Sequence, residues 1–531
     1  MVVYQLSFCK KNWLTQSHRE KDKRFKFYLV SSRIMVRRSR EFVFITLSML
    51  AATVIITGQD ALGSSASNIF DRNLTGNDGQ EQPSPLKEMN FSETTEAYSH
   101  EGILETTIII DEHEGMVGNE SVKAITYNGS LNGPTLHMKP GERMVVYYVN
   151  KLDQPTNIHF HGLHVSPLGS SDNIFRVIGP GETAKYVLDI PIDHARGTFW
   201  YHSHLHGLAT DQVGGGLSGL LVIEGLEDLL PDVLHNITQQ TFTMRGFPWH
   251  YWHLNYTSPT YQTINGEINP VVSISPGETQ LWRFANIDPG TFYNITLPGH
   301  TFRVIEQDGS PVWEVWDTKY LVIAAGKRFS VLVTGGENGT YPLKMLPYRG
   351  GTTHPYPEVT LATINVQGNA GAETAEVNAL SLVPRHDLGD LGVHEIRELV
   401  FSPSESNTTM NRFGEQGTNM INGKVFDHNR VDQTVNLGNL EEWHIKNIDG
   451  DDHTFHIHIN DFQVMSVNGQ PYEAHGLQDT VILPANGEVV VRMQFEDFVG
   501  RFVYHCHILP HEDTGMMGTV EVVDPFTPPF H

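Results

Sequence analysis

The sequence His505-Cys506-His507 constrains this chain more than any other feature. It opens a run, Ile508-Leu509-Pro510-His511-Glu512-Asp513-Thr514-Gly515-Met516-Met517, so a thiol, three imidazoles and a thioether fall within the twelve residues from His505 to Met516. A cysteine with two histidines and a weak axial methionine is the donor set of a blue-copper electron-transfer site. Phe502-Val503-Tyr504 just before it is aromatic and β-branched and predicts a strand. Successive side chains of a strand point to opposite faces. Cys506 is therefore expected to face one way, and His505 with His507 the other. One strand would then serve two metal sites back to back.

The same alternation applies to the other histidine clusters. In His453-Thr454-Phe455-His456-Ile457-His458, His456 and His458 share a face and His453 lies opposite. That predicts His453 beside Cys506, with His456 and His458 beside His505 and His507. His159-Phe160-His161 and His202-Ser203-His204 are two further same-face pairs. Eight neutral imidazoles gain nothing from sharing one core unless a metal accepts their lone pairs. Zinc does not suit them, because a tetrahedral site needs neither eight imidazoles nor a separate thiolate.

These four segments resemble the four copper-binding motifs of the multicopper oxidases, the laccase-like family, over roughly residues 103–527. The steps from Cys506 to His511 and to Met516 fit that family's blue-copper pattern. The resemblance implies four copper ions: one type 1, one type 2 and two type 3. By motif order it implies that His453, Cys506, His511 and Met516 bind the type 1 copper. His159 and His456 would bind type 2, and His161, His202, His204, His458, His505 and His507 the type 3 pair. Spacing favours Met516 over Met517 as axial ligand. His164 and His206 fall outside the set and read as structural. Glu512 resembles the family's proton-donating acid, and Asp172, in Ser171-Asp172-Asn173, resembles the acid near type 2 copper.

Short Val, Ile, Tyr and Phe runs broken by Pro-Gly, Asn-Gly and Gly-Glu turns give an all-β texture from about residue 103. The texture repeats. Asn132-Gly133 leads to Pro140-Gly141-Glu142 and Asn150; Asn265-Gly266 leads to Pro276-Gly277-Glu278 and Asn286; Asn422-Gly423 leads to Leu437-Gly438 and Asn447. The expectation is three cupredoxin-like Greek-key β-sandwich domains at 103–228, 229–372 and 378–527. The middle one lacks a His-x-His pair and reads as a copper-free spacer. Because motifs one and two lie in the first domain and three and four in the third, the cluster is expected between those domains, in a functional monomer.

The chain carries a net charge of −25, although residues 1–40 hold 11 Lys or Arg against 2 acids. The acidic body argues against nucleic acid as a partner. Residues 1–63 read as a leader with a signal or anchor segment, because Phe42 to Ile56 is an apolar run after Arg37-Arg38-Ser39-Arg40. Residues 64–102, rich in Ser, Asn, Glu, Thr and Gly, read as a disordered linker. Export to the periplasm, cell surface or medium follows, with an N-terminal membrane anchor as an option. With Cys9 in the leader, Cys506 is the only thiol of the body and free to be a ligand.

The expected chemistry couples four one-electron oxidations of a small donor to reduction of O2 to water. Phenols and similar donors are the first choice, and Fe(II), Cu(I) or Mn(II) the second. Residues 378–420 contain only Met410 and Met420, so no methionine-rich segment marks a cuprous substrate. A copper nitrite reductase lacks the His-Cys-His link into a cluster, and a simple electron carrier needs no cluster.

Overall fold

The structure is a computed structural model. It describes residues 26–30, 33–38, 41–45, 94–248, 260–351, 356–369, 381–403 and 418–526. Residues 26–45 contain a small antiparallel sheet of Lys26–Val30, Arg33–Arg38 and Glu41–Ile45. The apolar run expected from Phe42 to Ile56 therefore starts inside a strand, and most of it lies outside the described residues. Among the described residues no helix is long and apolar enough to cross a membrane.

Between residues 96 and 523 six sheets form, each sequence repeat supplying two. The first repeat pairs a four-stranded sheet, ordered Thr183–Asp189, Arg143–Asn150, Ile103–Val117 and Glu120–Tyr127, with a five-stranded one. The latter runs Glu96–Tyr98, Gly133–Met138, Ser218–Ile223, Gly197–His202 and His159–His161. Its edge strand Glu96–Tyr98 pairs in parallel with Thr135–His137, so order begins inside the stretch expected as a disordered linker. Three-residue edge pairing needs only backbone groups, which is why composition did not reveal it. The second and third repeats each pair a six-stranded with a five-stranded sheet in matching strand order. Each sandwich has an apolar core, with Tyr148, Trp282 and Trp443 among the fully buried side chains, and the third core also takes in Phe292 and Ala324 of the middle sandwich.

The repeated asparagines have a structural reason. Asn150, Asn286 and Asn447 each end a strand and donate from Nδ2 to carbonyls of the turns beyond. Each also accepts, at Oδ1, the backbone N–H two residues on, at Leu152, Asp288 and Asp449. A buried amide that satisfies both ends of a turn locks the loop leaving the strand. In the third sandwich that loop leads straight to His453.

Candidate metal centre

The strand Gly500–Cys506 lies antiparallel to His453–Ile457, with Cys506 opposite Phe455 and His505 opposite His456. Phe502, Tyr504 and Cys506 enter the core of the third sandwich. Val503, on the other face, packs instead against Ile174 of the first sandwich. The expected alternation is thus present. The strand ends at Cys506, and the helix Leu509–Asp513 starts with proline in its first turn, where no intrahelical N–H is needed. That helix turns His511 back towards the thiol.

On the Cys506 side, Nδ1 of His453 lies 3.3 Å from Sγ, Nδ1 of His511 lies 3.7 Å from Sγ, and the two Nδ1 atoms are 3.1 Å apart. All three residues are buried. His453 Nε2 donates to Asp449 Oδ2 at 3.1 Å, which leaves its Nδ1 lone pair facing the thiol. Burial pushes the Cys506 thiol up, but His453 and His511 outweigh it and bring the pKa down to about 6. Met516 belongs to the same apolar cluster as Cys506 and its carbonyl accepts from the Cys506 N–H at 3.0 Å. Met517 turns to the opposite face, against Ile174 and Val503.

On the other side, His159, His161, His202, His204, His456, His458, His505 and His507 converge where the first and third sandwiches meet, none more than 2% exposed. Nε2 atoms of His204, His458 and His505 stand 3.0, 3.2 and 3.3 Å apart. Three of the remaining five rings share a pattern. His159 donates from Nδ1 to Asp172 at 3.0 Å, His202 from Nδ1 to the Ser203 carbonyl at 2.8 Å, and His456 from Nδ1 to the Asp479 carbonyl at 2.9 Å. Each leaves Nε2 without a partner. His161 reverses the ring: Nε2 faces Asp479 Oδ1 at 3.2 Å and Nδ1 has no partner. His507 has no partner at either nitrogen.

A buried imidazole nitrogen without a partner costs about 1–3 kcal/mol. Burial first, then mutual crowding, holds His159, His161, His202, His204, His505 and His507 far below the usual imidazole range, so protonation does not resolve the crowding. Bound metal would satisfy these lone pairs. The donor set of imidazoles beside one thiolate suits copper, so the residues present fit the group.

Both expected acids are close. Asp172 accepts from His159 Nδ1 and from the Phe160 N–H at 3.0 Å. Glu512 is wholly buried, its two oxygens 3.3 Å from His204 Nδ1 and 3.2 Å from His505 Nδ1, in hydrogen-bond alignment with neither. Burial, helped by the charges of Asp513 and Cys506, holds its carboxyl well above the carboxylate range. His164 donates from Nδ1 to the Ile459 carbonyl at 2.7 Å, and His206 is exposed against Phe426, so neither joins the cluster.

Three residues at the centre were not foreseen. Asp449 stands four residues before His453, a signal visible in the sequence only to a reader who knows the turn's shape. Asp479 and Arg328 carry no local signal at all. They meet the histidines only because distant strands bring them there.

Three stretches of the chain match multicopper oxidase family models, at residues 111–228, 231–369 and 400–525. A multicopper oxidase of Staphylococcus aureus is 29% identical over 432 residues, 76% of this chain and 85% of that one. A bilirubin oxidase of Albifimbria verrucaria is 27% identical, over 75% of this chain and 72% of that protein. A solved Campylobacter jejuni multicopper oxidase, described as a metallo-oxidase, superposes with a TM-score of 0.69 at 27% identity, covering 83% of this chain and 98% of the other.

Proposed function

This chain belongs to the multicopper oxidase family, copper oxidoreductases that use O2, and from that premise we propose that it is a laccase-like oxidase with four coppers in two centres. His453, Cys506, His511 and Met516 would hold the type 1 ion. His159 and His456 would hold type 2, and the other six cluster histidines the type 3 pair. When bound, copper supplies single-electron exchange at the thiolate site and a store of electrons for O2 at the cluster. The domain limits 103–228, 229–372 and 378–527, a monomeric working unit and export directed by residues 1–63 belong to the same reading.

The observation that carries the proposal is the pair of covalent bridges from Cys506 to His505 and His507. They join a thiolate triad to eight buried imidazoles, six of which keep a nitrogen without a partner while the Nε2 atoms of His204, His458 and His505 crowd one another. Four donor molecules lose one electron each, and a phenol also loses a proton; O2 takes four electrons and four protons and leaves as two waters. The chain's residues manage the protons and the geometry. Glu512, whose carboxyl burial holds well above the carboxylate range, lies between His204 and His505 and is placed to give a proton towards the cluster. Asp172 fixes the His159 ring and stands beside the same space as a second acid.

A second reading, oxidation of Fe(II), Cu(I) or Mn(II), draws on Asp449. Its carboxylate bonds His453 at the edge of the thiolate site, with Asp451 and Asp452 two and three residues on. It also draws on the C. jejuni metallo-oxidase. Copper analysis of the purified full chain, with O2 uptake driven by a phenol and by Fe(II), tests both readings. Phenol-driven uptake supports the first, and uptake with Fe(II) alone the second. Copper at the thiolate site only, with no O2 uptake, would overturn the proposal.

A further inference from the structure

Among the described residues the middle sandwich contributes no histidine to either centre, yet one of its turns lies against the cluster. A Cβ on Gly326 would sit 2.9 Å from His507 Cδ2 and 3.0 Å from His161 Cε1. The next two residues reach into the third sandwich. Lys327 Nζ donates to Gln478 Oε1 at 2.9 Å and to the Thr480 carbonyl at 2.9 Å, and also to Asp308 Oδ2 of its own sandwich at 2.8 Å. Arg328 forks onto Asp479, with Nη1 to Oδ1 and Nη2 to Oδ2 both at 2.8 Å, and donates from Nε to the Thr198 carbonyl of the first sandwich at 3.1 Å. Arg328 and Asp479 are almost wholly buried.

Asp479 in turn serves two rings. Its carboxylate faces His161 Nε2 at 3.2 Å and its carbonyl accepts from His456 Nδ1 at 2.9 Å. Those two rings stack 3.8 Å apart, 12° from parallel. One ring is from the first sandwich and one from the third, and each has its remaining nitrogen unpartnered. Asp479 therefore sets which nitrogen each ring presents. Motif one's glycine, Gly162 at φ +86°, has the same cause: a Cβ there would overlap Arg328 Nη2 and sit 2.5 Å from Asp479 Oδ2.

We propose that Arg328 is a positioning residue for the copper cluster, through which the middle sandwich holds Asp479 and so orients His161 and His456 across the interface between the outer two. The guanidinium fork fixes a carboxylate in plane and direction, which a point charge does not. This rests on the cluster reading above.

The test compares copper-loaded full-length parent, Arg328→Met and Arg328→Lys in a graded chelator titration. Two readouts besides turnover are followed: copper retained per chain, and blue absorption, which reports the thiolate site alone. Loss of a hydrogen-bonded support of a metal ligand weakens binding by about 10–100-fold. Cluster copper in Arg328→Met should weaken by that factor while blue absorption per chain stays at the parent's level, with Arg328→Lys in between. Retention equal to the parent's would overturn the proposal, as would loss of both centres in step with a lower unfolding temperature, which is how a merely structural residue behaves. If the methionine chain does not accumulate, Arg328→Lys carries the same two readouts, because it keeps the charge and loses the fork. A parent that holds no cluster copper would instead sink the underlying reading, a result distinct from failure of Arg328's role.

Discussion

The two candidate centres are built in opposite ways. The thiolate centre is local: His453, Cys506, His511 and Met516 come from one sandwich, and three of them lie within one turn-and-helix segment. The imidazole centre is an assembly, with four histidines from the first sandwich, four from the third, and Asp479 pinned by Arg328 of the middle one. A local centre can form once its own sandwich folds. An assembled centre exists only when three separately packed cores have docked. The thiolate site should therefore survive damage that empties the cluster, whereas the reverse damage separates the centres only if it is confined to the sulfur.

Cys506→Ser makes that reverse cut and should have the largest effect. The hydroxyl is a harder donor and far less acidic than the thiol, which His453 and His511 bring down to about 6. Blue absorption and donor-driven O2 uptake should both vanish, while metal analysis still finds the cluster's copper. Loss of copper from both centres would show that the thiolate site is a prerequisite for assembly and would break the contrast.

Glu512→Gln cuts inside the assembled centre and should rank second. The amide keeps the shape between His204 and His505 and has no proton to give. Reoxidation of the reduced protein by O2 should slow by about 10²–10⁴-fold, the usual share of a positioned acid. Blue absorption should remain. Stopped-flow reoxidation checks this, and an unchanged rate would remove Glu512 from proton delivery.

The same contrast explains what could be read from the chain alone. Parity along Phe502 to His507 needs only the two-residue period of a strand, so the split between Cys506 and its neighbours was legible. The three sandwiches were legible because Asn150, Asn286 and Asn447 recur with their turns, and the structure gives each the same carbonyl-capping task. Arg328 and Asp479 were not legible. They are 151 residues apart in the chain, neither sits in a histidine motif, and a buried fork between sandwiches leaves no periodic trace. The middle sandwich read as a spacer for that reason: it has no His-x-His pair, and the part it plays at the cluster is carried by residues outside any histidine motif. The short strand Glu96–Tyr98 escaped because its pairing is purely backbone.

Asp449→Asn should have the smallest effect and sharpens the contrast at the donor's side. Asparagine Oδ1 can still accept the His453 Nε2–H, so the ring and the blue absorption should stay as they are. Only the negative charge at the edge is lost, and the side chain is 24% exposed, so water and salt already screen it. For a cationic donor the change should be a drop of about tenfold in kcat/KM, carried mainly by KM, and the remaining rate should depend less on ionic strength. For a neutral phenol the drop should stay within about twofold, because no charge is being attracted. Steady-state O2 uptake with Fe(II) and with a phenol, each at low and high salt, gives the ratio directly. An equal fall for both donors would mean that the carboxylate only orients His453, and the metallo-oxidase reading would lose its structural support. A fall for Fe(II) alone would place donor selection, like the sulfur itself, within the single sandwich that carries the thiolate site.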